Sequence, residues 1–259
     1  MTIQITLAGN TYSLDGFNPI DLSLSMGEGG QNPNAFYIDP AQFRPIRVGS
    51  FVGSVMEGGS ANCEILTLCA HGNGTHTECV GHISENRISL PEVWSPGFHL
   101  AQLVSIQPNG EGVVTKRMLE EITWLAEADA VVFRSLPNEV SKQTFNWSGS
   151  GAPYFESAAL KFLADKGYSH LLTDFPSVDP EEDNGQLEAH HAWWGIPYRK
   201  DGEFRQRVRV ESPRYHATIT ELIYVPNSAV DGLYVLQIMI PNLMTDAIPS
   251  RPLLYPIIS

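Results

Sequence analysis

"HGNGTHTECVGH", residues 71–82, places three histidines, a carboxylate and a thiol in twelve positions around a Gly-Asn-Gly. The preceding stretch, CEILTLCA (63–70), has apolar residues close enough together for a buried strand, which puts the histidines in a loop at a strand end. His76 and Glu78 are two apart. An extended segment projects such a pair to the same side, the usual way a strand offers two ligands to one metal. His82 lies four residues further on. Imidazole with carboxylate suits zinc, manganese or iron better than magnesium or calcium, which prefer oxygen alone. The competing reading is a polar loop, because an isolated histidine is more often a surface or satisfied core residue. Three of them beside Gly72 and Gly74 bring the functional reading level with it.

Two later segments bear on the choice. LEAHHAWWG (187–195) carries adjacent His190 and His191, whose side chains cannot both face one point in a regular element. One can be a ligand, or both can rim an aromatic core built on Trp193 and Trp194. Glu221 lies inside TITELIYV (218–225), where a carboxylate is costly unless paired, protonated or bound to a metal. If that strand has a solvated face, Glu221 simply belongs to it.

The chain has 259 residues, 42% of them hydrophobic, enough to bury a sizeable core. With 29 acidic against 16 basic residues its formal charge is −13. That argues against a nucleic-acid or anionic-membrane partner, because such binding relies on clustered Lys and Arg. A small molecule or another copy of the chain is the expected partner. The opening MTIQITLAGNTYSLDG has no basic lead into an apolar stretch. No apolar run approaches the roughly 20 residues of a membrane-spanning helix, so a cytoplasmic protein is expected. Cys63, Cys69 and Cys79 are odd in number and lack C-x-x-C spacing, which argues for reduced thiols.

Along the chain, TKRMLEEITWLAEAD (115–129) has Met118, Leu119, Ile122 and Leu125 at helical spacing, and AVVFRS (130–135) reads as a buried strand. SAALKFLADKG (157–167) reads as a helix with a capping Ser157 and a terminating Gly167, followed by a strand and loop in YSHLLTDFPSVDP (168–180). The tail from Thr218 is rich in β-branched and aromatic residues, as strands of one sheet are. There is no repeat or low-complexity linker, so residues 1–259 are expected to form a single α/β domain.

These segments resemble the metal-dependent cyclase family, which includes bacterial kynurenine formamidase and isatin hydrolase. HGNGTHTECVGH is similar to its H-x-G-T-H-x-D-x-P-x-H motif, and TDFPSVDP (173–180) to its D-x-x-S-V-D-P loop. AHHAWWG (189–195) is similar to its H-x-A-L-L-G, and DLSL (21–24) and ITEL (219–222) are further matches in the right order. The resemblance implies a curved, barrel-like mixed β-sheet flanked by helices, a homodimer or larger homo-oligomer, and one or two divalent metal ions, zinc or manganese. It assigns His76, Glu78, His190 and Glu221 to the metal, with His71 as a fifth ligand, and makes His82 the residue that moves protons. There are departures. Gly72 stands where the motif has its first histidine, one residue after His71, so His71 would need a local bulge to reach a metal. Glu78 replaces the aspartate, Val80 the proline, and an insert runs roughly from Pro197 to Tyr215.

The implied activity is hydrolysis of an amide, formamide or cyclic amide C–N bond. Asp174 and Asp179 are candidates for orienting ligands or, equally, for shaping a Pro-Ser-Asp-Pro turn. Phe175, Trp193 and Trp194 are candidates for stacking on a planar substrate or for core packing. No G-x-S-x-G elbow supports a serine hydrolase. Cys79 reads as a packed thiol before an activated one. The alternative from another class is an inactive member of the fold that binds a small molecule or serves as a structural oligomer.

Overall fold

The structure, a computed structural model, describes residues 2–27, 32–94, 96–197 and 211–258. The expected insert lies mostly outside the described residues. Among the described residues, eleven strands form one mixed sheet. In chain order they begin with β1 Thr2–Leu7, β2 Asn10–Asp15, β3 Ile20–Asp21 and β4 His76–Cys79. Next come β5 Phe98–Ile106, β6 Ala130–Ser135, β7 His170–Thr173 and β8 Thr218–Glu221. The last are β9 Gly232–Met239, β10 Ala247–Pro249 and β11 Arg251–Ile258. Their lateral order is β1-β2-β11-β9-β5-β6-β7-β8-β4-β10, with β3 beside β11. Strands β5 to β8 run parallel, and all four residues of β7 and β8 and all six of β6 are buried. Burial on both faces is why AVVFRS reads as an unbroken apolar run.

The sheet is strongly curled. Strands β11 and β10 are seven steps apart in the hydrogen-bonded order, yet Ser250 alone separates them in sequence. A flat sheet would hold them roughly 30 Å apart at about 4.8 Å per strand. One residue spans a fraction of that, so the sheet must bend round to bring its flanks together. Ser250 fastens the seam: its N–H donates to Thr75 O at 3.1 Å, and its hydroxyl lies 2.8 Å from Thr77 Oγ1.

Helices α1 Ser157–Asp165 and α2 Glu188–Trp194 pack against each other. Helix α1 buries Ala159, Leu160 and Leu163, one stripe of its surface. Its N-cap is Glu156 and not Ser157, while Gly167 at φ +96° ends it as its sequence implied. Helix is shorter than expected in TKRMLEEITWLAEAD. It covers Lys116–Glu120, beyond which the Trp124 indole donates to Leu119 O.

CEILTLCA also differs from its reading. Only Glu64–Thr67 is strand, all of it exposed, and it pairs with Gln42–Pro45 in a separate two-stranded sheet. Apolar density alone does not decide burial; this excursion lies outside the main sheet. Among the described residues no helix is long and apolar enough to cross a membrane.

Candidate metal centre

Register builds the site. In the antiparallel pair β4–β8, His76 lies opposite Glu221 and Ile219 opposite Glu78, so His76, Glu78 and Glu221 share one face. Strand β10 flanks β4 on its other side, with Ala247 opposite Glu78, and Asp246, just before the strand, reaches His71 and His82 from that flank. His71 arrives by a single helical turn, Ala70–Asn73, and not by a bulge in a strand. Gly72 lets that turn pack closely on the Ala35–Ile38 segment, because a Cβ there would sit 2.5 Å from Ile38 Cδ1 and 3.1 Å from Ala35 O. His82 lies in a 3-10 turn, Val80–Ile83, directly after β4, and His190 in α2.

The structure brings all six sequence-selected residues together. His76 Nε2 is 3.3 Å from Glu221 Oε2, and His190 Nε2 is 3.0 Å from Glu78 Oε1. His71 Nδ1 is 3.2 Å and His82 Nδ1 3.8 Å from Glu78 Oε2. Asp246, which the sequence reading missed, lies 3.0 Å from His71 Nε2 and 3.6 Å from His82 Nδ1. Asp246 stands before a short strand and not inside an apolar one as Glu221 does, so the sequence carries no comparable signal for it.

Hydrogen bonding fixes which ring nitrogens point inward. His76 Nδ1 donates to Gly74 O at 3.0 Å, and His190 Nδ1 donates to Asp179 Oδ2 at 2.5 Å. Each imidazole therefore turns Nε2 toward a carboxylate. His76 Nε2, His190 Nε2 and both oxygens of Glu78 are buried, with no hydrogen-bond partner among the described residues. Unpaired atoms of this kind are costly in a protein interior. Glu221 is buried rather than solvated: Oε1 accepts from Val178 N at 2.8 Å, leaving Oε2 to face His76.

The electrostatics follow. Burial would raise the Glu78 pKa, but His82 and His190 hold it well below the usual range. Burial likewise opposes charge on His71, yet its hydrogen bond to Asp246 and its contact with Glu78 push its pKa up to about 10. Burial opposes charge on His190 too, but Glu78 and Asp179 hold it well above its ordinary value. Three carboxylates facing four imidazoles demand positive charge between them.

Of the two loop acids, Asp179 orients His190 and also accepts from the N–H groups of Ala189 and His190, at 2.8 and 3.1 Å. Asp174 instead binds Ser135 and Lys142, and so pins the neighbouring loop. Phe175, Trp193 and Trp194 are buried core, and the Trp194 indole donates to Ala217 O. The Cys79 thiol is pushed up to about 12, chiefly by burial, which makes it a packed thiol. A cavity of about 210 Å³ opens onto His71, His82, His190 and Glu221. Phe36 lines it with its backbone at φ +59°, a conformation rare for a bulky residue and one that sequence does not announce.

The Cyclase family model, described as "Putative cyclase", matches residues 20–180, more than half of the chain. The chain belongs to the cyclase family. His71, His76, Glu78 and His82 fall inside the matched region of this cyclase, while His190, Glu221 and Asp246 lie beyond it. Solved structures share the fold. One is described as a predicted metal-dependent hydrolase from Bacillus stearothermophilus, 16% identical at a TM-score of 0.61, covering 92% of this chain and 98% of that one. Another is isatin hydrolase A from Labrenzia aggregata bound to benzyl benzoate, 12% identical at a TM-score of 0.63, covering 92% and 93%. A third is an isatin hydrolase bound to the product analogue thioisatinate, 11% identical at a TM-score of 0.57, covering 93% of each. A comparison with curated proteins finds no match.

Proposed function

We propose that this cyclase is a metal-dependent hydrolase that cleaves an amide, formamide or cyclic amide C–N bond of a small molecule. One observation carries the reading: His76 and His190, each with Nδ1–H committed to an acceptor behind it, turn buried Nε2 atoms onto Glu221 and Glu78. Lone pair then faces carboxylate, and the pairing is favourable only with a proton or a cation between them. Mixed imidazole and carboxylate donors fit zinc or manganese. His76, Glu78, His190 and Glu221 would hold the ion, and His71 joins them through Glu78. Glu78 turns one oxygen to His190 and the other to His71, whose Nε2 is in turn held by Asp246. A bound divalent cation lowers the pKa of water and polarises a carbonyl, so no covalent nucleophile is needed.

The remaining chemistry belongs to the chain. His82 is a quarter exposed at the cavity, whereas His76 is fully buried, so His82 can reach a substrate and move a proton to a departing nitrogen. Phe36 offers the cavity a planar apolar wall. The isatin hydrolases named above support a cyclic amide as one substrate class. Self-association belongs to the same reading, supported by Val55, Met56, Ile65 and Leu66, exposed on the excursion between Gln42 and Thr67.

The test is metal content after purification without chelator, then turnover of aryl formamides and lactams by the zinc and manganese forms. Bound metal with turnover of either class supports the proposal. Bound metal without any turnover favours the inactive binder, and absence of metal affinity overturns both the centre and the reaction.

A further inference from the structure

The starts of the parallel strands carry a second imidazole–carboxylate group, apart from the centre just described. His99 is the second residue of β5, Asp129 immediately precedes β6, and His170 opens β7. Because these strands are neighbours, with Ala130 opposite both Ala101 and His170, the three side chains gather at one end of the parallel strands. A nitrogen of His99, a nitrogen of His170 and a carboxylate oxygen of Asp129 all lie within 4.8 Å of one another. The two rings have centroids 4.0 Å apart. His170 Nδ1 is anchored by Thr218 Oγ1 at 2.8 Å. Thr218 and Glu221 are three residues apart in β8, so they project to opposite faces with roughly 10 Å of strand between them. The second group is therefore no extension of the first.

Its bonding pattern repeats that of His190. His99 Nδ1 donates to Asp129 Oδ2 at 2.8 Å, as His190 Nδ1 donates to Asp179, and Asp129 Oδ1 is itself held by Leu100 N at 2.9 Å. His99 Nε2 is then left buried, with no hydrogen-bond partner among the described residues. A carboxylate behind Nδ1 selects the tautomer that presents its lone pair at Nε2, the form in which histidine binds metals. An unused buried lone pair is unfavourable. A second imidazole beside it is poor compensation unless something electrophilic joins them. Asp129 is about half exposed, which leaves the group open to solvent, and the net charge of −13 draws cations to it.

We infer that His99 and His170, with Asp129 holding His99 from behind, form a second binding site for a divalent transition cation such as zinc or copper, independent of the catalytic centre. Two imidazole nitrogens select such ions over magnesium or calcium, which prefer oxygen alone. Donors at about 2.0–2.2 Å from one ion stand roughly 3.4 Å apart, inside the spread observed. Trp94 stands by as a reporter, its ring centroid 6.2 Å from that of His99 and 5.9 Å from that of His170.

Equilibrium dialysis of the full chain against zinc tests the site. Wild type is expected to hold about one equivalent more than His99→Gln, and Asp129→Asn, which keeps an oxygen for Leu100 N–H, is expected to show the same deficit. Both variants should keep the metal and turnover of the catalytic centre. Copper should quench the Trp94 emission, taken as wild type minus Trp94→Phe, and His99→Gln should weaken that quenching at least tenfold. Zinc counts equal in wild type and both variants, or Trp94 emission indifferent to copper, would overturn the site. Should one variant fail to fold, the other carries the comparison.

Discussion

His190 is held from behind by Asp179, 2.5 Å from its Nδ1, while its Nε2 stands 3.0 Å from Glu78. The second contact is meaningful only because of the first, since the carboxylate behind the ring decides which nitrogen carries the proton. Asp179→Asn keeps one oxygen, enough for the Ala189 N–H, but loses the charge and the second acceptor that faces the His190 ring. Metal affinity is expected to fall about 10- to 100-fold with an unchanged far-UV circular dichroism spectrum. Titration calorimetry showing parental affinity would reduce Asp179 to a helix anchor.

His76 and His82 are neighbours in sequence with different expected roles. His76 is fully buried between Gly74 O and Glu221, so His76→Ala should lose metal and activity together. His82 borders the cavity, so His82→Ala should keep its metal while hydrolysis falls by about 10²- to 10⁴-fold. Metal analysis and turnover on both variants decide the matter. Equal metal loss in the two would make His82 a ligand.

Glu221 is expected to be needed for metal occupancy. Glu221→Gln retains an acceptor for Val178 N–H, so the local backbone survives, but a neutral amide faces His76. Occupancy should drop after dialysis. Unchanged metal content would show that Glu221 merely anchors the loop.

The metal-free chain should lose stability toward acid through His170. Burial, then the neighbouring His99, lowers its pKa to about 3, against an ordinary value near 6.5. Below about 6.5 the unfolded chain takes up a proton that the folded chain refuses until about pH 3, so this contribution is present at neutral pH and lost between those limits. Asp129, also held below its ordinary value, adds to the same trend at the acid end. His71 has the opposite sign: its raised pKa stabilises below about 6.5, and that contribution disappears as pH rises through about 10. Urea midpoints of the metal-free protein from pH 3 to 10 measure both limbs. A midpoint in His170→Gln that declines with acid as in the parent would contradict the assignment.

Much of the site was legible because its residues are short-range. His76 and Glu78 alternate on one strand, and Gly-Thr-His marks its start. Glu221 could be singled out because a carboxylate in an apolar strand needs a reason. Asp246 and Phe36 were not legible. Each reaches the site through a partner far away in sequence, Asp246 through the pairing of β10 with β4 and Phe36 through a loop conformation. The fold shows the same division. AVVFRS is strand because both its faces are covered, whereas CEILTLCA has similar apolar density and lies in solvent. Local pattern proposes an element, and distant packing decides what covers it.

The seam at Ser250 bears on how the protein is made. Asp246 meets His71 across 175 residues, and β10 can pair with β4 only once it has been synthesised. A nascent chain leaves the ribosome N-terminus first, so β4 must wait with both edges unpaired until β8 emerges, and with one until β10 follows. Contacts of such long range make folding slow, and an exposed edge is prone to wrong partners in the interval. The candidate metal centre is therefore among the last parts of the molecule to form, and a cation bound there would report that the sheet has closed.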